Sequence, residues 1–181
     1  MGRSFHLTIV SVFLSVFILC AIPIAVPAET VRNIPSVDVY FSPRGGCTRA
    51  IVTEIDNARS EIMIQAYSFT SAPIAKALVN AHKRGVKIVA ILDKSQRSRE
   101  YTSASFLVHA GIPVYIDSDH AIAHNKVIII DGNTVITGSF NFTKAAEEKN
   151  AENLQIIRST DVARLYLKNF DRHMAHSEFY R

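Results

Sequence analysis

Val127-Ile128-Ile129-Ile130 is an unbroken β-branched run, and it constrains this chain more than any other segment. Such side chains are stiff about χ1 and pack well on a pleated surface, so the run predicts a buried strand. Asp131-Gly132-Asn133 then forms a turn that returns the chain into Thr134-Val135-Ile136-Thr137, the second arm of a hairpin. Strands and helices alternate around it. Strands are expected at Val37 to Phe41, Glu61 to Tyr67, Val86 to Leu92, Pro113 to Ile116 and Glu152 to Ile157. Helices are expected at Cys47 to Ala58, after Ser71-Ala72-Pro73, at Ser103 to Ala110, and from Asp161 to about Ala175. Ile74, Ala77, Leu78 and Ala81 give the second helix a buried stripe, and Gly85 ends it. The pattern predicts one α/β domain, a mixed β-sheet flanked by helices on both faces.

The hairpin carries chemistry as well as structure. Residues two apart on a strand share a face, which sets the imidazole of His124 beside the ammonium of Lys126. Gly138-Ser139-Phe140-Asn141 adds a hydroxyl and an amide two residues apart. A nucleophile-capable imidazole, a fixed cation and two neutral donors suit an anionic phosphoryl group. Taken singly, His124, Lys126 and Asp131 read as a strand cap, a solvated lysine and a turn residue; the set is what points to a site.

The set resembles the HxKxxxxD signature of the phospholipase D superfamily, followed by GSxN and by an acidic residue, Glu152. Val39-Tyr40-Phe41-Ser42-Pro43 and Ile64-Gln65-Ala66-Tyr67-Ser68-Phe69-Thr70 are also similar to segments of that superfamily. In size and single motif copy the chain resembles its small bacterial endonuclease branch, from about Val37 to the C-terminus. The resemblance implies a phospholipase D-like fold and a catalytic set of His124, Lys126, Asp131, Ser139, Asn141 and Glu152. In that set His124 attacks phosphorus to give a phosphohistidine and Glu152 holds its other nitrogen. Lys126 and Asn141 bind the non-bridging oxygens, and Ser139 supports the same pocket. Asp131 anchors the hairpin or the neighbourhood of Lys126 and does not touch substrate.

One role is left empty, an acid for the leaving oxygen. Superfamily members with two motif copies take it from the second histidine, and His82, His109, His120, His173 and His176 lack the matching context. Two chains are therefore expected to pair about a two-fold axis, each supplying one histidine, as a homodimer. No cofactor is expected. His173-Met174-Ala175-His176 has a ligand-like spacing but reads as solvated tail histidines, and Asp117-Ser118-Asp119-His120 as a polar loop beside the cleft.

The N-terminus bears on location. Arg3 is the only formal charge before Glu29, and the intervening run is apolar and ends in Val26-Pro27-Ala28. This is the pattern of a secretory signal peptide over residues 1–28, cleaved before Glu29, with periplasmic or secreted localisation. The uncharged stretch is also long enough for an uncleaved anchor; Pro23, Pro27 and the small Ala28 favour cleavage. Cys20 follows the bulky Leu19, which argues against lipidation. Losing Arg3 with the leader takes the basic residues from 20 to 19 against 16 acidic, a net charge of +3. Charge that mild does not identify a nucleic-acid partner. Cys47 would then be the sole cysteine, with helical spacing to Ile51 and Ile55, and reads as a core thiol.

Nucleic acid, DNA before RNA, is the expected substrate. Lys94, Arg97 and Arg99 share a loop and Lys144 and Lys149 follow the motif, so they could track a phosphate backbone without reading bases. No stable membrane association is expected after leader cleavage. A phospholipid phosphodiesterase with the same catalytic set is the main alternative, and a catalytically silent nucleic-acid-binding module a further one.

Overall fold

The sequence alternates as expected, and the computed structural model describes residues 28–97 and 103–181. Residues 1–27 of the expected leader, Cys20 among them, lie outside the described residues, as does Arg99. The strands are β1 (Ser36–Ser42), β2 (Glu61–Ala66), β3 (Lys87–Asp93), β4 (Val114–Asp117), β5 (Lys126–Ile130), β6 (Thr134–Gly138), β7 (Glu152–Arg158) and β8 (Glu178–Phe179). The helices are α1 (Cys47–Asn57), α2 (Ala72–Lys83), α3 (Ser103–His109), α4 (Lys144–Glu148) and α5 (Thr160–Met174). The sequence reading lacked β8, two residues long, and α4, five residues long; neither is long enough to display a period.

All eight strands form one mixed sheet in the order β1-β7-β6-β5-β2-β3-β4-β8. The three strands joined by helical crossovers, β2, β3 and β4, run parallel; every other pairing is antiparallel. Helices α1, α2 and α3 cover one face, where Cys47, Ile51, Ile55, Ile74, Leu78 and Leu107 pack on Ile62, Ile64, Ile128 and Ile130. Helix α5 covers part of the other, with Val162, Ala163 and Phe170 on Ile91, Val127, Ile129 and Val135. Successive residues of β5 thus feed two different cores, and its apolar run is continuous because both faces are buried. Cys47 sits in the first core, fully buried, and burial pushes its thiol up to about 11, with Glu147 adding to the effect. It is a packing residue.

The strand directions bring particular chain ends together. β2, β3, β4 and β6 finish, and β5 and β7 begin, along one rim of the sheet. Lys126 pairs with Ala66 there, Glu152 with Ser42, and Gly138 with Leu154. Among the described residues, no helix is long and apolar enough to cross a membrane.

Candidate active site

Each side chain on this rim is held by a local feature. Lys126 starts β5 on the face of Ile128 and is only 6 % exposed. Its ammonium donates to the carbonyl of His124 at 2.9 Å and lies 5.2 Å from the centre of the Tyr67 ring. That ring also packs against the imidazole of His124, centroids 4.6 Å apart, while the Tyr67 N–H donates to Asn125 at 2.9 Å. Tyr67 is therefore a platform under both groups. Beyond β6, Gly138 has φ 146°, and a Cβ there would meet the Asn153 carbonyl at 2.3 Å. Only glycine lets the chain pass so close. The bend sets the Ser139 and Phe140 N–H groups on the Asn153 carbonyl at 3.1 Å each, and the Ser139 hydroxyl accepts from Asn153 N–H at 3.0 Å. Phe140 and Phe142 are fully buried on either side of Asn141, so the amide between them is fixed at the rim.

His124, Lys126, Gly138, Ser139, Asn141 and Glu152 line one cavity of about 350 Å³. Burial pulls the Lys126 ammonium below its usual value, and the nearby Glu152 charge opposes that shift. An anion entering the cavity would favour the charged form of Lys126. The Asn141 side-chain oxygen, Oδ1, is buried with no hydrogen-bond partner among the described residues. An unsatisfied amide in a polar cavity is free to turn either its acceptor or its donors to a ligand. The cavity thus offers an imidazole, a cation, a hydroxyl and an amide to one small anionic group.

Residues 51–174 match the family model of the cardiolipin synthase, phospholipase D-like domain. The chain is 48 % identical over 143 residues to phospholipase D of Rickettsia felis, covering 79 % of this chain and 70 % of that protein. The chain belongs to the phospholipase D superfamily. The mitochondrial cardiolipin hydrolase of Mus musculus is 35 % identical over 115 residues, 64 % of this chain and 52 % of that one. Among solved structures, Nuc, a phospholipase D family member from Salmonella typhimurium, superposes with a TM-score of 0.77. Its identity is 41 %, over 81 % of this chain and 98 % of that one. The eight-stranded mixed sheet is the phospholipase D-like fold, and the protein is a phosphodiesterase of that superfamily.

Within that frame five of the six expected site residues share the cavity and one does not. Asp131 stands at the opposite end of β5 from Lys126, roughly 16 Å away at strand rise. Its carboxylate accepts from the N–H groups of Arg59, Ser60 and Glu61 at 2.9, 2.8 and 3.1 Å and from the Ser60 hydroxyl at 2.7 Å. Of the two expected roles, Asp131 has the first: it anchors the hairpin turn to the loop between α1 and β2, away from the cavity and from Lys126. Burial raises its carboxyl, but the bonds from Ser60, Glu61 and Arg59 outweigh burial and hold it below the usual range. Glu152 also departs from expectation. It lines the cavity, yet accepts from the Asn150 amide at 3.3 Å rather than from His124, and its effect there is on the charge of Lys126.

One further expectation is corrected, and the basic residues take these places. Lys94 donates to the His120 carbonyl at 2.9 Å and the exposed Arg97 pairs with Glu178 at 2.5 Å. Lys144 is exposed and 3.6 Å from Glu148 on its own helix. The correction is that His173 and His176 are not solvated tail residues: both turn back onto Asp117, which is fully buried, and His120 joins them. Tyr67 and Gly138 are the site residues that sequence reasoning missed. Gly138 stood inside the GSxN signature, whereas Tyr67 became legible only once β2 was known to pair with β5.

Proposed function

We propose that this phosphodiesterase is a periplasmic or secreted nonspecific endonuclease, working through a phosphohistidine at His124 in a homodimer. The observation that carries the reading is the single cavity holding His124, Lys126, Ser139, Asn141 and Glu152. The likeness to Nuc over 98 % of that chain supports it. A ring nitrogen of neutral His124 attacks phosphorus, and the phosphorus–oxygen bond to the leaving group breaks as a proton reaches that oxygen. Lys126, Asn141 and Ser139 meet the charge on the non-bridging oxygens. Water then attacks the phosphohistidine, giving up a proton and returning His124 free. A lysine beside a lone carboxylate is a poor donor set for magnesium, which favours the histidine route.

The proton donor comes from His124 of a second copy. Val37, Val39 and Phe41 are exposed to 44, 49 and 67 % on the edge strand β1, on the sheet face that α5 covers farther in. This apolar stripe ends beside Ser42, the partner of Glu152 in register, so copies pairing there would bring two rims together. The signal-peptide pattern over residues 1–28 supports a periplasmic or secreted location.

A phospholipid reading keeps the same chemistry. It is favoured by the names of the relatives and by Ile122, 57 % exposed two residues before His124. Purified protein is assayed on plasmid DNA, on RNA, and on phosphatidylcholine and cardiolipin vesicles, in excess EDTA well below its melting temperature. Cleavage of DNA with little lipid turnover is expected; lipid turnover with inert DNA contradicts the endonuclease reading.

A further inference from the structure

Three imidazoles converge on one carboxylate oxygen on the sheet face opposite Lys126. Asp117 ends β4 on the side packed by α5 and is fully buried. The Nδ1 of His173, in the last turn of α5, lies 2.7 Å from its Oδ2; the Nδ1 of His120 lies at 3.0 Å and the Nε2 of His176 at 3.3 Å. His120 Nδ1 also lies 3.1 Å from Oδ1, so one buried carboxylate meets three ring nitrogens at once. The rings also lie against one another, with centroids 4.8, 5.1 and 5.4 Å apart. Three ring nitrogens and a carboxylate oxygen thus surround one point, the arrangement of a cation site.

We propose that Asp117, His120, His173 and His176 form a structural site for one divalent transition-metal ion, zinc by preference. The four donor atoms lie within 4.8 Å of one another. Tetrahedral zinc at ordinary bond lengths needs donors roughly 3.3 Å apart, a small contraction from this arrangement. Three imidazoles and one carboxylate oxygen are a donor set that zinc accepts, whereas calcium and magnesium take oxygen. Asp119 N–H donates to Asp117 Oδ1 at 3.2 Å, which leaves Oδ2 to the ion. The partly exposed rings of His120 and His176 give access from solvent. Four protein donors leave no open position, so the ion is structural rather than catalytic.

The site would lock elements that are otherwise lightly held. It joins the end of β4, the loop at His120, the end of α5 and the short β8 that follows His176. The same loop is fastened by Lys94 to the His120 carbonyl and by Asp93 to the Ala123 N–H at 2.8 Å, and then delivers His124 to the rim. At the sheet, Asp117 is three strands from Lys126, roughly 14 Å, so the ion stays clear of the reacting groups.

The test reads metal binding, not catalysis, so it succeeds or fails independently of the endonuclease proposal. Untagged protein is stripped with chelator, dialysed, and titrated with zinc by calorimetry and with cobalt by visible absorption. One ion per chain is expected, with the strong visible bands of four-coordinate cobalt and a higher melting temperature when zinc is bound. His173→Ala and His120→Ala should each weaken binding roughly a hundredfold or more. Wild-type protein that takes up neither metal stoichiometrically overturns the proposal however the variants fold. Equal binding by wild type and both variants overturns it too, by placing the metal elsewhere.

Discussion

Lys126 is the residue on which the cavity's electrostatics turn. It is held by the His124 carbonyl and the Tyr67 ring, and burial makes its charge costly until an anion arrives. Replacing it leaves the phosphoryl charge unmet, so Lys126→Ala should lower kcat at least about a hundredfold while the protein still folds. Steady-state kinetics beside a melting curve checks this. Glu152 acts on the same charge. Removing its carboxylate takes away the influence that raises Lys126, so Lys126 loses its proton at lower pH. In Glu152→Gln the alkaline limb of the pH–rate profile should therefore move to lower pH, with a milder loss of kcat than in Lys126→Ala. A profile that keeps its alkaline limb would remove Glu152 from the electrostatics of the pocket. At this scale the sequence was legible in part. Spacing placed His124 beside Lys126 and found Ser139 and Asn141. It misplaced the partner of Glu152, because Asn150, in the bend just before β7, takes the carboxylate.

Elements were read best where burial imposes a period and worst where contacts are long-range. The run from Val127 to Ile130 announced β5, and Asp131-Gly132 announced its turn, where both residues adopt positive φ of 51 and 63°. The sequence reading gave Asp131 an anchoring role, at the hairpin or beside Lys126, but nothing local showed that its turn would receive the loop after α1. Its carboxyl is lower in the folded protein than in the unfolded chain, so its contribution is complete above the unfolded value. It disappears as pH falls through the folded value. Asp131→Asn should cost on the order of 2 kcal/mol at neutral pH, and the gap to wild type should close in acid. Melting temperatures across a pH series measure it; a gap independent of pH would mean that the charge contributes nothing. The histidines of the last turn were misread for the same reason. Asp117-x-x-His120 and His173-x-x-His176 are each weak pairs, and only the packing of α5 across β4 unites them.

At the scale of the whole molecule, the proposed function makes the single-motif chain half of a two-histidine site. The structure offers one unpartnered apolar stripe on the edge strand, Val37, Val39 and Phe41, beside the rim. Charges there should oppose pairing without touching the cavity. The double variant Val39→Asp with Phe41→Asp should sediment as a monomer and lose activity together with the dimer. A variant that stays dimeric and active would move the interface elsewhere. The proposed dimer also fixes what a trapped reaction must look like, because in it only one of the paired histidines is the nucleophile in a given turnover while its mate carries the proton. The most direct measurement is rapid quenching of the enzyme with a labelled phosphodiester, followed by mapping of the protein-bound phosphate. The account predicts an alkali-stable, acid-labile adduct on His124, at most about one per pair of chains and absent from His124→Ala. A bound phosphate on another residue, or full turnover by well-folded His124→Ala, would contradict it.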